Sequence, residues 1–285
     1  MTHSRTIKKI IKGQSVLEGA GVRLRRIFGS NDIPVFDPFL LLDDFRSTRP
    51  SDFIKGFPWH PHRGIETITY VLKGDVEHGD SLGNTGTISS GDVQWMTAGS
   101  GIIHQEMPKG DENGQMEGFQ LWANLPAANK MMAPRYRDIK AGDIPEIQTE
   151  SGTSIKVICG KTGDIEGPAT EIVIDPIYLD ITVPENTIYE YQTQPGYTFF
   201  AYIIHGKGFF DLEKKFLADN GTLILFEDGD HITVNTHTLP VRFLLIGGKP
   251  LKEKVEWHGP IVMNTEEELE TAFDEYQKGT FIKHK

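Results

Sequence analysis

Apolar positions in this chain come in short runs, each cut off by Gly, Asp, Asn or Pro. Residues 65–72 (IETITYVL) run into a Lys73-Gly74 turn, and Phe119, Leu121, Ala123 and Leu125 alternate with the residues between them. Further runs follow at 155–158, 171–183, 199–204, 222–226, 231–234 and 241–246. These runs are rich in β-branched and aromatic residues, which suit a pleated, half-buried surface, so the pattern predicts an all-β sandwich or barrel. The period changes only near the end. Thr265 and Glu268 have capping-box spacing, with Glu266 and Glu267 between them, where the helix dipole favours acids. Leu269, Ala272, Phe273 and Tyr276 then recur at helical spacing and Gly279 supplies a stop. That predicts one short C-terminal helix whose apolar stripe packs on a sheet.

The strand pattern repeats. Tyr70-Val71-Leu72-Lys73-Gly74 is matched 132 positions later by Tyr202-Ile203-Ile204-His205-Gly206. Gly86-Thr87-Ile88 followed by Gly91-Asp92 is echoed by Gly221-Thr222-Leu223 followed by Gly229-Asp230. Two related β units in tandem are the economical reading. Their boundary is expected in the irregular stretch 126–150, which contains Pro134 and Pro145. The expected division is 1–135 for the first unit and 136–285, with the terminal helix, for the second. The length of 285 residues also suits two domains at roughly 150 residues each.

Composition narrows the function classes. The net charge of −11 argues against broad binding to nucleic acid or anionic membranes, which repel it; Arg23, Arg25 and Arg26 form the only N-terminal basic run. A single cysteine, Cys159, excludes an intrachain disulfide and a cysteine-based zinc site, fits a reducing compartment, and reads as a small buried apolar residue. No stretch is apolar enough for a membrane span, and the start MTHSRTIKKIIKGQ lacks the apolar run of a secretory signal. A soluble, cytoplasmic protein is expected.

Ten histidines are present, and His60-Pro61-His62 and His104-Gln105-Glu106 each place two ligand-type residues at spacing two. In a strand, residues two apart face the same way, so each pair can aim two ligands at one point inside a barrel. Three imidazoles and one carboxylate leave up to two open positions on an octahedral metal and suit Fe(II), Cu(II), Mn(II) or Ni(II). Glu66 has the same parity as His60 and His62, so on spacing alone it competes with Glu106 for the carboxylate position. Shifting His60, His62 and Glu66 by the repeat offset lands on Gln192, Gln194 and Thr198. The second unit is therefore expected to be metal-free.

The surrounding residues carry a resemblance. Gly56-x3-His60-x-His62-x3-Glu66-x7-Gly74 resembles the first cupin motif, and Gly91-x7-Gly99-x4-His104 a loosened second one. More specifically, DPFLLLDDF at 37–45, HPHRGIET at 60–67, GDVQWMTAG at 91–99, GIIHQE at 101–106 and QLW at 120–122 closely resemble the pirin family, and the closing helix at 267–281 fits it. The resemblance implies a bicupin, two tandem β-barrels of double-stranded β-helix type, with one iron in the N-terminal barrel. Matched motif to motif, its ligands are His60, His62, His104 and Glu106. Glu66 then becomes a strand residue that orients a ligand histidine or fills the barrel.

Some pirins show quercetin 2,3-dioxygenase activity, which implies an oxidoreductase with a small aromatic substrate, O2 and Fe(II) or another first-row divalent metal. Glu106 would be its proton acceptor. Other pirins act as regulatory partners of transcription factors in animals, where a nuclear location applies, or of central metabolic enzymes in bacteria. On that alternative the chain is a metal-binding protein read by a protein partner, without direct nucleic-acid contact. A sugar-isomerase cupin finds no support, since no basic phosphate-binding cluster lies near the histidine pairs. His78 is expected in a hairpin, and His205, His231 and His237 in structural or surface roles. Trp59, Trp95 and Trp122 are expected in the core, with one or two of them, and Phe57 and Met107, available to line a flat aromatic pocket.

Overall fold

The computed structural model describes residues 3–284. It is all-β, with a single α-helix, Glu266–Gln277, among the described residues. Among the described residues no helix is long and apolar enough to cross a membrane. The sequence-predicted runs at 155–158, 199–204, 222–226, 231–234 and 241–246 all lie in strands, namely Ser154–Cys159, Thr198–Phe209, Thr222–Phe226, His231–Asn235 and Val241–Gly248. The run at 171–183 is half right. Its strand is Ile177–Val183; upstream, Glu171 and Asp175 take positive φ and Pro176 follows, so that part turns. Thr265 caps the helix, accepting from the Glu268 N–H while the Glu268 side chain returns to the Thr265 N–H, as its spacing predicts.

The chain forms two compact units, and the switch between them at Ala141/Gly142 falls inside the expected stretch. Their membership corrects the expected division at 135/136. One unit is Gln14–Ala141 with Leu251–Lys285, and the other is Met1–Gly13 with Gly142–Pro250. Each exchange has a packing reason. Ile7–Lys12 pairs antiparallel with Thr222–Phe226 and so extends the second barrel. The terminal helix buries Ala272 with Ile261, Met263 and Phe281, and Ile103 of the first barrel packs on that cluster, so the helix belongs to the first unit.

In the first unit a four-stranded sheet (order Phe57–His62, Ile102–Pro108, Val76–Asp80, Thr85–Ile88) faces a seven-stranded one. Inside the larger sheet Ile65–Lys73 is flanked by Val93–Thr97 and Glu117–Asn124. Apolar side chains fill one end of the space between the sheets, among them Val71, Val76, Ile88 and Met116. Polar side chains occupy the other end. In the second unit a ten-stranded sheet wraps a continuous apolar core that includes Tyr189, Tyr191, Phe199, Phe210, Ile232, Val234 and Phe243.

Candidate metal centre

Phe57–His62 is the edge strand of the four-stranded sheet and bonds only to Ile102–Pro108. An edge strand leaves half its donors unpaired, which is why it tolerates Pro58 and Pro61. Alternation puts His60 and His62 on one face, and His104 lies directly across the ladder from His60. His104 and Glu106 share that face in turn, Glu106 being opposite His78 on the other side. The register slips between His104 and Glu106, beside Gly56. A side chain could not stand there: Gly56 has φ +63°, and a Cβ would lie 2.8 Å from the Glu106 carbonyl oxygen.

One ring nitrogen from each of His60, His62 and His104 lies within 4.8 Å of the others. Among the described residues this is the one such group of three ligand side chains. The His60 Nδ1–H donates to the Pro58 carbonyl at 2.9 Å and the His62 Nδ1–H to the Pro260 carbonyl at 3.1 Å. A carbonyl can only accept, so each neutral ring keeps its lone pair on Nε2, and the two Nε2 atoms stand 3.0 Å apart. Facing lone pairs repel unless a cation or proton sits with them. His104 adds two buried ring nitrogens with no hydrogen-bond partner, an arrangement that costs about 1–3 kcal/mol for each buried polar group left unsatisfied. Burial, reinforced by the neighbouring imidazoles, holds His62 and His104 well below the ordinary histidine range, in the neutral form that ligates. The donor set thus fits a divalent first-row metal.

The two carboxylates separate cleanly. Glu106 lines the same cavity but is not in the three-nitrogen group. Its carboxylate accepts from Thr69 Oγ1 at 3.1 Å and from Gln120 Nε2 at 3.1 and 3.2 Å. Glu66 points the other way. It sits on the face of Ile65–Lys73 opposite Thr69, fully buried, accepting from Trp95 Nε1 at 3.1 Å and Thr97 Oγ1 at 2.6 Å. Its carboxyl is raised by burial, against the pull of those two hydrogen bonds. Parity with His60 and His62 fails because it holds only within one strand. Gly64, at φ +77°, turns the chain between His62 and Ile65 and resets the alternation.

The cluster opens on a cavity of about 560 Å3 lined by Phe57, His60, His62, Glu106, Trp122 and Trp257, among others. Trp122 stands edge-on to His62, with ring centroids 5.0 Å apart, and 5.7 Å from Trp257. Arg26 sits in the wall, holding Asp43 through two hydrogen bonds of 3.0 and 2.8 Å and Glu18 through one of 2.8 Å. Of the expected pocket aromatics, Phe57 and Trp122 are in the lining, while Trp59 is 53% exposed and Trp95 lies in the core with Glu66. Met107 is beside Gly56, outside the lining. His78 lies in a hairpin, as expected, opposite Gly86 of the Thr85–Ile88 strand. It is a buried residue of the Val76–Asp80 strand, bonded to Gln94 at 3.0 Å and stacked on Tyr136. His205 and His237 are exposed, and His231 is buried in the second unit. Cys159 is buried, as expected. Sequence reasoning missed Trp257 and the Pro260 carbonyl. The first had only its residue type as a signal, and the second, a backbone atom, had none.

Fold and site together define a bicupin with a three-histidine pocket in one barrel. Residues 21–123 match the Pirin family model and residues 178–282 that of the Pirin C-terminal cupin domain. The chain is 42% identical to a pirin-like protein of Caulobacter vibrioides, over 97% of this chain and 99% of that one. It is 41% identical to a provisionally named quercetin 2,3-dioxygenase of Pseudomonas aeruginosa, over 98% and 99%. A crystal structure of quercetin 2,3-dioxygenase from Acinetobacter baumannii superposes with a TM-score of 0.89 at 31% identity, over 98% and 99% of the two chains. The chain belongs to the pirin family.

Proposed function

We propose that the chain is a metal-dependent dioxygenase that opens a flavonol such as quercetin with O2, using one iron(II) held by His60, His62, His104 and Glu106. The observation that carries this reading is the cluster of three imidazoles, two of which, His60 and His62, line an aromatic-walled cavity. The names of the Pseudomonas and Acinetobacter relatives support the substrate class. When bound, the metal would act as a Lewis acid toward a substrate hydroxyl held as its anion. The protein's own residues prepare that state. Glu106 accepts the hydroxyl proton on a carboxylate oxygen, and Thr69 and Gln120 hold the carboxylate toward the cavity. Gln120 is itself oriented by the Trp122 Nε1–H, which donates to its Oε1 at 3.3 Å. Phe57, Trp122 and Trp257 supply apolar walls that align a flat ring system and displace water from it.

The test is metal analysis of protein purified without added metal, followed by O2 uptake with a panel of flavonols and catechols. One metal per chain and quercetin-dependent uptake, lost in His60→Ala, His62→Ala and His104→Ala, is the expected result. A metal-replete preparation with no uptake across the panel overturns the enzyme and leaves the partner-binding reading, to be sought by pull-down.

A further inference from the structure

The C-terminal segment reaches the metal site through one backbone atom, the Pro260 carbonyl that receives the His62 Nδ1–H. Two buried basic side chains fasten that segment to the backbone directly after His62. Arg63, 2% exposed, donates through Nη2 to the Phe281 carbonyl at 2.8 Å and pairs through Nη1 with Glu275 at 2.8 Å. Its guanidinium carbon also lies 4.2 Å from the centroid of the Phe281 ring. Lys130, 1% exposed, donates to the Gly64 carbonyl at 2.9 Å, the Val262 carbonyl at 3.0 Å and Asn124 Oδ1 at 2.6 Å. Between these anchors Arg63 bridges Ile261, and the Val262 N–H donates to the Arg63 carbonyl at 3.1 Å. The fit is close: a Cβ on Gly64 would lie 1.9 Å from the Val262 carbonyl oxygen.

We infer that Arg63 and Lys130 are positioning residues of the metal site, which clamp the corner at Pro260 against His62 and thereby keep that ring with Nδ1 protonated and Nε2 free to ligate. The inference rests on the metal reading of the three histidines. Burying two basic groups is costly unless their donors are satisfied, and both reach the C-terminal segment, Arg63 at Glu275 and Phe281 and Lys130 at Val262. Without the clamp the imidazole can rotate or change tautomer, and the Nε2 lone pair is no longer aimed at its neighbours.

The test compares Arg63→Met, Arg63→Lys, Lys130→Met and Glu275→Gln with wild type. Ni2+ affinity is measured by chelator competition, and the His62 tautomer by nitrogen-15 NMR of the metal-free protein. Arg63→Met is expected to weaken Ni2+ about tenfold, within the range for groups that orient a ligand, and to remove the pure Nδ1–H signature of His62. Arg63→Lys is expected to recover part of both. A folded Arg63→Met with wild-type affinity and tautomer overturns the inference. Should Arg63→Met fail to fold, Glu275→Gln and Lys130→Met give the same two readouts, and wild-type values in both overturn it equally. A purely structural role would lower the melting temperature and move neither readout. Wild type that binds no Ni2+ sinks the metal reading and this inference together, whereas absence of O2 uptake touches only the reaction.

Discussion

The two barrels use the same strand pairing for opposite ends. In the first, His60 lies across from His104 and His62 across from Ile102. In the second, Tyr189 lies across from Val234 and Tyr191 across from Ile232, all four buried in one apolar cluster. The inward positions that hold histidines in one unit hold apolar packing in the other. An apolar interior gains burial free energy of about 25 cal/mol for each Å2 removed from water. The histidine cluster instead accepts facing lone pairs and unpartnered nitrogens. The second barrel shows the same scaffold filled by packing, and the difference singles out the first as the one that carries the histidine cluster.

The sharpest way to break this comparison is metal stoichiometry. One tightly bound equivalent is expected, abolished by His104→Leu; two equivalents, or one surviving that change, would mean that the second barrel also ligates. The same substitution removes two buried unsatisfied nitrogens, so the metal-free variant should be more stable than wild type by about 2–6 kcal/mol in denaturant unfolding, at about 1–3 kcal/mol for each. Next come the carboxylates. Glu106→Gln should cost metal binding or turnover. Glu66→Gln should leave the metal in place and lower stability by about 1 kcal/mol, since it disturbs the hydrogen bonds from Trp95 and Thr97. The opposite pattern would return Glu66 to the ligand set.

Acid offers a third distinction. His62 and His104 are held well below the usual histidine pKa by burial. As pH falls through about 6.5 the unfolded chain therefore takes up protons that the folded chain refuses, and stability falls by about 1.4 kcal/mol per pH unit for each histidine. The metal-free first unit should weaken between pH 7 and pH 5, and bound metal should oppose the loss. All four tryptophans (Trp59, Trp95, Trp122 and Trp257) belong to that unit, so the pH dependence of tryptophan-monitored unfolding checks this directly. The smallest effect is Thr265→Ala, which removes the helix cap and should cost about 1 kcal/mol in the same tryptophan signal.

Much of this architecture is legible in residue order, because period-two runs and turn glycines mark strands whatever their partners. The three histidines are legible for the same reason: each pair sits inside one strand, where spacing fixes the face. Legibility ends where geometry passes through a turn. Gly64 reverses the apparent kinship of Glu66 with the histidines. In the second unit the buried residues of the Ile188–Gln192 strand are Tyr189 and Tyr191, while Gln192 and Gln194, reached by the 132-residue offset, are exposed. Turn glycines keep the repeat in step at the hairpins, but not along a strand preceded by a loop of different length. Which barrel the terminal helix joins was equally unreadable, because its apolar stripe fits any apolar surface and only the partner, Ile103 with Ile261 and Met263, decides.

Each unit is assembled from two stretches of chain far apart in order, and this bears on how the protein is made. On the ribosome the strands bearing His60, His62 and His104 emerge early, and more than a hundred residues of the other barrel follow before Leu251 appears. Until then His62 lacks the carbonyl that sets its tautomer and the cavity lacks its Trp257 wall. Closing contacts over such separations is slow for any chain. On the metal reading proposed above, loading waits for the completion of synthesis, since a nascent or prematurely ended chain that has every histidine still has no finished pocket.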